Sequence, residues 1–251
     1  GRTTAQLRDV VGEFLDAGVR NFLALRGDPP EGADDWAPGP DEVARACDLV
    51  TLIREVEAER FGLRGLDPLS RLADHRSRRK AVSIAVAAYP GMVAESESEA
   101  EPGSDGGGDD AVAPAYRVRE DELVALRAKQ DAGADFAITQ LFFDAAAYRE
   151  LLTAAAGAGI TLPLVPGILP LTDPARIRRL CDLNGITHPG EILAALEAAP
   201  DVEARTRVGL EATSALIRDV LRAGAPGLHL YTFNRADGVT ALLEDVLSRT
   251  A

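Results

Sequence analysis

The spacing of apolar residues changes from one stretch of the chain to the next. Residues 3–17 (TTAQLRDVVGEFLDA) repeat apolar side chains at intervals of three and four, which predicts an amphipathic helix. Gly18 ends this pattern, and residues 20–26 (RNFLALR) follow as a continuous apolar run that predicts a short buried strand. The chain therefore opens with a helix followed by a strand.

The same alternation continues along the chain. Further helices are predicted, the first with Asp41 as its N-cap, over residues 41–59, 119–134, 144–157, 173–183, 189–198, 201–223 and 236–249. Further strands are predicted over residues 81–89, 135–143, 161–168 and 227–234. Continuous apolar strands separated by helices are typical of a parallel sheet covered on both faces. Five strands fit an open doubly wound sheet or the later part of an eight-stranded barrel.

Two segments interrupt the alternation. Residues 60–80 are charged and have weak periodicity, and residues 92–118 are rich in Glu, Ser, Gly and Asp. Within the second segment, residues 95–110 hold seven acidic residues and no basic ones. Such a composition predicts a disordered insertion in a single domain of residues 1–251.

Composition narrows the class of function. The 251 residues carry a net charge of −13, which disfavours nucleic acid or an anionic membrane as a partner. No run of eighteen apolar residues predicts a membrane span. Two cysteines, Cys47 and Cys181, with no CxxC spacing predict no metal site and a reducing cytoplasm.

Polar residues follow each predicted strand, at the end that forms the ligand face of parallel α/β folds. These residues are Arg26-Gly27-Asp28, Tyr89-Pro90, Thr139-Gln140, Pro166-Gly167 and the stretch from Tyr231 to Arg235. The sequence holds no GxGxxG loop after the first strand, no GxxxxGK[ST] loop and no GxSxG elbow. A ligand face without the usual dinucleotide, phosphate-loop or hydrolase motifs is therefore predicted.

Six stretches, in order, resemble the methylenetetrahydrofolate reductases: NFLALRGDPP, DLVTLIRE, VAAYP, KQDAGADFAITQLFFD, LPLVPGILP and GLHLYTFNR. The resemblance runs from about residue 1 to residue 249. It implies a TIM-type (β/α)8 barrel that binds FAD and passes hydride from NADH or NADPH to 5,10-methylenetetrahydrofolate, giving 5-methyltetrahydrofolate. It also implies that three family strands precede this chain, with the family's glutamate general acid on the first of them.

The resemblance places FAD contacts at Arg26, Gly27, Asp28, Ala46, Tyr89 and Lys129. A carboxylate at Asp28 would tune the flavin, although a turn or helix-capping role is the alternative. Lys129 would offset the diphosphate charge, or it is an exposed helix lysine. Tyr89 would pack against the flavin, or it is a half-buried core tyrosine. Asp48 falls in the same FAD-contacting stretch as Ala46, and pairing with a Lys or Arg is its alternative.

Substrate contacts are implied at Gln140 and Arg235. The Gln140 amide carries a donor and an acceptor, which suits the mixed edges of a pterin, or it bonds to backbone at the barrel rim. Arg235 would meet a carboxylate or phosphate with two N–H groups, or it begins a surface helix.

Two residues depart from the family pattern. Val93 replaces a flavin-contacting histidine, and Arg176 stands where some members have a folate-contacting glutamine. These departures, together with the expected missing strands, leave two alternatives open: an inactive or fragmentary barrel relative that binds flavin or a partner, and a barrel flavoenzyme with another acceptor. The choice of NADH or NADPH and the formation of a homo-oligomer also stay open.

Overall fold

The computed structural model describes residues 2–27, 39, 41–62, 81–93, 116–234 and 236–248. Asp28, Arg235 and residues 94–115 lie outside these ranges, so the disorder predicted for residues 92–118 stays a prediction for 94–115. At its two ends the prediction is wrong, because residues 92–93 and 116–117 form paired strands. No helix within the described ranges has both the length and the apolar character needed to cross a membrane.

Helices and strands alternate over the first part of the described chain, and three helices follow one another after residue 173, as the sequence predicts. The helices are α1 (Thr4–Asp16), α2 (Ala46–Phe61), α3 (Glu120–Asp131), α4 (Ala145–Gly157), α5 (Pro174–Asn184), α6 (Gly190–Ala198), α7 (Val202–Arg222) and α8 (Asp237–Ser248). The strands are β1 (Asn21–Ala24), β2 (Ser83–Ala88), β3 (Met92–Val93), β4 (Tyr116–Arg117), β5 (Phe136–Thr139), β6 (Leu164–Val165), β7 (Gly167–Ile168) and β8 (His229–Leu230). The chain thus has a mixed α/β fold.

The strands form one larger sheet and two short pairs among the described residues. The larger sheet has the order β1-β2-β5-β6, and β1 runs parallel to β2 from Asn21↔Ser83 to Ala24↔Val86. β7 and β8 also pair in parallel, whereas β3 and β4 pair antiparallel at the two ends of the acidic insertion. The parallel pairing predicted from continuous apolar runs is therefore confirmed for these strands.

The chain divides into two compact units. The first unit comprises Gly1–Ala88, Asp121–Ile138 and Ala158–Leu164, and the second comprises Tyr89–Glu120, Thr139–Gly157 and Val165–Ala251.

The first unit contains a partly buried ionic cluster around Arg54 of α2. Its guanidinium donates to the carbonyls of Gly133 (3.0 and 2.9 Å) and Val82 (2.9 Å) and forms ion pairs with Glu57 and Asp135. The two carboxylates accept backbone N–H groups at the start of β2, from Val82 to Glu57 (2.8 Å) and from Ile84 to Asp135 (2.7 Å). One arginine therefore fixes α2 against the chain entering β2 and β5.

The second unit has an apolar core between α5, α6 and the chain around β7. Its buried members are Leu141, Leu169, Leu171, Ile177, Cys181, Leu193 and Leu196. The backbone N–H of Leu171 donates to the buried hydroxyl of Thr213 (3.0 Å) on α7. This bond satisfies a polar backbone group that would otherwise weaken the core.

Two local predictions are wrong. Asp41 does not cap α2, which begins at Ala46; the Asp48 side chain instead accepts the Arg45 backbone N–H (3.1 Å). The Asp41 carbonyl accepts the Thr4 backbone N–H (2.7 Å), so this part of the chain is held against α1.

The single strand predicted over residues 161–168 is also wrong. β6 ends at Val165 and β7 begins at Gly167, with Pro166 between them. Proline has no N–H to offer a neighbouring strand, so strand pairing breaks at this position.

Candidate functional site

Arg26 and Gly27 follow β1 in the first unit, and both are exposed. A Cβ added at Gly27 would meet open space, so the contacts shown here do not require glycine. Asp28 comes next but lies outside the described residues, and its place beside a flavin stays a prediction.

The beginning of α2 presents a helix N-terminus with a capping ion pair. Ala46 is buried, so a ligand would meet it through its backbone rather than its methyl group. The Arg45 guanidinium donates to Asp48 (3.3 and 3.1 Å) and holds the pKa of that carboxyl below its usual range. Asp48 therefore pairs with an arginine, as its alternative role predicts. It does so at the N-terminus of the helix, where the backbone dipole favours anions.

Lys129 extends from the last turn of α3 to the end of β2. Its Nζ donates to the carbonyl oxygen of Ala87 (2.8 Å), two residues before Tyr89. Burial lowers the pKa of Lys129, and the nearby Glu122 and Cys47 partly oppose that shift. The lysine is half-buried, and the influence of Cys47 places it near the start of α2, so the exposed-helix interpretation does not describe it.

Tyr89 and Tyr231 lie near each other in the second unit. Tyr89 is 45% exposed, so much of its ring remains accessible. Burial raises the pKa of Tyr231, and the proximity of Tyr89 raises it further. The Tyr231 hydroxyl donates to the carbonyl of Thr139 (3.1 Å), the residue before Gln140.

Gly167 allows the close packing of this strand end. A Cβ at Gly167 would lie 2.3 Å from the Thr139 carbonyl oxygen and 2.7 Å from Cε2 of Tyr231. The Gly167 N–H donates to the buried Thr139 hydroxyl (2.9 Å). A side chain at position 167 would therefore displace Thr139 or Tyr231.

The Gln140 amide is held at both ends. Its Oε1 accepts the Leu141 backbone N–H (2.9 Å), and its Nε2 donates to Oδ1 of Asn184 (2.7 Å). Nδ2 of Asn184 in turn donates to the carbonyl of Leu180 (2.8 Å), in the same helix α5. The backbone bond expected for a rim amide is present, but the side-chain bond to Asn184 was not anticipated.

The turn after β8 has an unusual backbone. Phe233 and Asn234 both have positive φ, at 48° and 59°. This left-handed region suits asparagine but is rare for phenylalanine, and such backbone clusters at functional sites. The Arg176 guanidinium lies 5.6 Å from the centre of the Phe233 ring, while Arg235 lies outside the described residues.

His229 and Cys181 do not have the surroundings of catalytic groups. Burial lowers the pKa of His229, which favours the neutral ring, and the ring packs edge-on against Tyr231 at 4.8 Å. Burial raises the pKa of Cys181, which disfavours a reactive thiolate.

The predicted site residues that the structure describes therefore form two groups. The start of α2 and Lys129 come together in the first unit, whereas Tyr89, Gln140 and Tyr231 belong to the second. Asn184 was missed because an asparagine before Gly185 at a helix end is read as a helix-ending signal. Its contact with Gln140, 44 positions earlier, leaves no local signature.

Comparison with known proteins extends these observations. A family model described as methylenetetrahydrofolate reductase matches residues 1–246. A rice (Oryza sativa subsp. japonica) protein named probable methylenetetrahydrofolate reductase (NADH) is 32% identical over 95% of this chain and 35% of its own length. The 5,10-methylenetetrahydrofolate reductase of Escherichia coli K12 is 30% identical over 94% of this chain and 63% of its own.

The chain thus spans about one third of the rice protein and just under two thirds of the bacterial one. Among solved structures, a dihydrodipicolinate synthase matches 98% of this chain and 72% of its own, with 13% identity and a TM-score of 0.35.

Proposed function

The chain belongs to the methylenetetrahydrofolate reductase family, and from this premise we propose that it reduces 5,10-methylenetetrahydrofolate to 5-methyltetrahydrofolate. The proposed electron donor is NADH or NADPH, and the proposed hydride carrier is FAD. The observation that carries the proposal is the family match over residues 1–246, which includes every strand end that bears a ligand-type side chain.

The first unit suits the charged part of FAD. Lys129 supplies an ammonium group beside the end of β2, and the N-terminus of α2 lies close to it. An ammonium group and a helix N-terminus both stabilise a diphosphate. We therefore propose that Arg26, Gly27, Ala46 and Lys129 hold the cofactor, with Asp28 beside its ring.

The second unit suits a flat, neutral ring with mixed polar edges. Gln140 offers a fixed amide, and the accessible face of Tyr89 can pack against an aromatic ring. Arg235 is proposed to meet a carboxylate of the substrate. These groups bind and orient the ligands rather than forming bonds to them.

The chemistry divides between cofactor and protein. When bound, FAD would supply hydride transfer between the nicotinamide donor and the folate. The Asp28 carboxylate would disfavour negative charge on the nearby ring, and Gln140 would keep the pterin in register. Neither role requires a charged histidine, which agrees with the lowered pKa of His229.

A closed (β/α)8 barrel in the cytoplasm is the proposed setting. The parallel strands support a barrel, and β1 is the last strand at one edge of the described sheet. On that strand Leu23 is 49% exposed, and a neighbouring strand in a barrel would bury it.

Two assays test the proposed function. The purified protein should show a flavin absorbance near ~450 nm, alone or after FAD is added. It should then oxidise NADH or NADPH with menadione as acceptor, and oxidise methyltetrahydrofolate in the reverse half-reaction. A protein without bound flavin contradicts the proposal, and flavin reduction without folate turnover points to a different acceptor.

A further inference from the structure

The hydrogen bonds around Gln140 and Asn184 define which way each side-chain amide faces. We propose that Asn184 is a positioning residue: it fixes which way the Gln140 amide faces and thereby which ring edge the enzyme accepts. This inference rests on the proposed function, because Gln140 acts on substrate only if the site binds folate.

The direction follows from three bonds in series. Asn184 donates from Nδ2 to the Leu180 carbonyl (2.8 Å), which leaves its Oδ1 as the atom that faces Gln140. An oxygen there requires a donor, so Gln140 must present Nε2 (2.7 Å). The other end of the Gln140 amide agrees, since Oε1 accepts the Leu141 N–H (2.9 Å).

Reversal of the Gln140 amide would break two of these bonds at once. Nε2 would then face the Leu141 N–H, two donors together, and Oε1 would face the Asn184 oxygen, two acceptors together. Each lost neutral hydrogen bond reduces a population by roughly fivefold. Without Asn184 the Leu141 bond alone would select the orientation, and the selection would weaken.

The fixed Gln140 amide keeps one hydrogen-bond donor and one acceptor for a ligand. One N–H of Nε2 and one lone pair of Oε1 are not used by Asn184 and Leu141. A ring edge that carries an acceptor next to a donor, as a cyclic amide does, matches this pair. An edge of the opposite polarity does not, so Asn184 contributes to specificity without touching the substrate.

The position of Asn184 suits this role. It is the last residue of α5, and Gly185 after it has a left-handed φ of 62°. The helix therefore stops where the asparagine side chain reaches Gln140. Asn184 is exposed, so water competes for its bonds and the expected effect is moderate.

The test compares Asn184→Ala with Asn184→Asp and with Leu183→Ala, an exposed neighbour on the same helix. Asn184→Ala should raise the KM for the folate substrate by clearly less than the roughly fivefold value of one hydrogen bond, because the Leu141 bond still favours the same orientation of the amide. Its kcat, flavin absorbance and thermal midpoint should stay unchanged. Asn184→Asp keeps an acceptor oxygen toward Gln140 and should recover most of the KM, and Leu183→Ala should have no effect.

A double-mutant cycle with Gln140→Leu separates positioning from general damage. If Asn184 acts through Gln140, Asn184→Ala should add nothing to the KM of the Gln140→Leu variant. Additive effects, or an unchanged KM in Asn184→Ala, would overturn the inference while folate turnover by the wild type still supported the proposed function. A wild type that binds flavin but turns over no folate would overturn both.

Discussion

The two units hold their strand ends by different chemistry. In the first unit the groups are charged: Arg54 is paired with two carboxylates at the start of β2, and Lys129 donates to the Ala87 carbonyl at the other end of that strand. In the second unit they are neutral: the hydroxyls of Thr139 and Tyr231 and the amide of Gln140.

This difference matches the two kinds of ligand proposed. A diphosphate needs positive charge, and a half-buried ammonium group supplies it, although removing that charge from water costs free energy. A neutral ring needs fixed donors and acceptors instead, and uncharged groups can be packed closely without that cost. The contrast can be tested one residue at a time.

Removal of the Arg54 charge should have the largest effect. Arg54→Met keeps an apolar stem but leaves Glu57 and Asp135 without their cation, so we expect a loss of about 3 kcal/mol in the free energy of unfolding. Urea denaturation would measure the loss. The control is Arg222→Ala, whose pair with Asp219 is exposed, with an expected loss below about 0.5 kcal/mol. Similar losses in both variants would contradict a structural role for the Arg54 cluster.

Gly167→Ala should give the second largest effect. Its Cβ would lie 2.3 Å from the Thr139 carbonyl oxygen, so the strand end must shift, at a cost of about 2 kcal/mol. Gly157→Ala is the control, because its Cβ meets open space at the end of α4. Thermal unfolding should show a lower midpoint for Gly167→Ala and no lowering of the midpoint for Gly157→Ala. If Gly167→Ala unfolds like the wild type, the close packing of Tyr231 is not required.

The elements were predictable from the sequence because their signals are local. The spacing of apolar residues identifies α1, and the continuous apolar run of β2 predicts its parallel pairing, which the register with β1 confirms. One error arose where a long-range contact overrides a local signal. Asp41 resembles an N-cap, but its carbonyl bonds to Thr4, and that long-range contact decides where α2 begins.

The site was predictable only in part. Resemblance to the family identified Lys129 and Gln140, but not the groups to which these side chains bond. The partners are Ala87, 42 positions away, and Asn184, 44 positions away. Contacts at such separations depend on how the chain folds back on itself, and no local pattern in the sequence encodes them.

Lys129→Gln should lower the affinity for FAD about tenfold, the value of one charge-assisted hydrogen bond. Fluorescence titration of the flavin would measure the dissociation constant. Arg127→Gln is the control: it removes a positive charge from an exposed part of the same helix and should leave the affinity unchanged. Equal losses in both variants would indicate a general effect of charge rather than a contact.

The same lysine predicts a dependence on pH. Burial lowers the pKa of Lys129 below its ordinary value of 10.5, so in the folded protein it loses its proton at a lower pH than in the unfolded chain. Its charge therefore opposes folding in full below the lowered pKa, and this penalty declines as the pH rises from that pKa and is gone above the ordinary value of 10.5. FAD affinity should fall over the same alkaline range, and the Lys129→Gln variant should lack this component. A wild-type affinity with the same alkaline pH profile as the Lys129→Gln variant would contradict the contact.

Tyr231→Phe should have the smallest effect of the four. It removes one neutral hydrogen bond to the Thr139 carbonyl and keeps the ring, so we expect a loss of about 1 kcal/mol in the free energy of unfolding. Thr206→Val is the control, because its hydroxyl makes the same kind of bond, to the Val202 carbonyl, at an exposed site. Urea denaturation of both variants alongside Arg54→Met tests the difference between charged and neutral contacts in the two units. Because the second unit is held by neutral bonds, the loss in the free energy of unfolding for Tyr231→Phe should be about one third of that for Arg54→Met. Equal losses would mean that charge does not distinguish the two units.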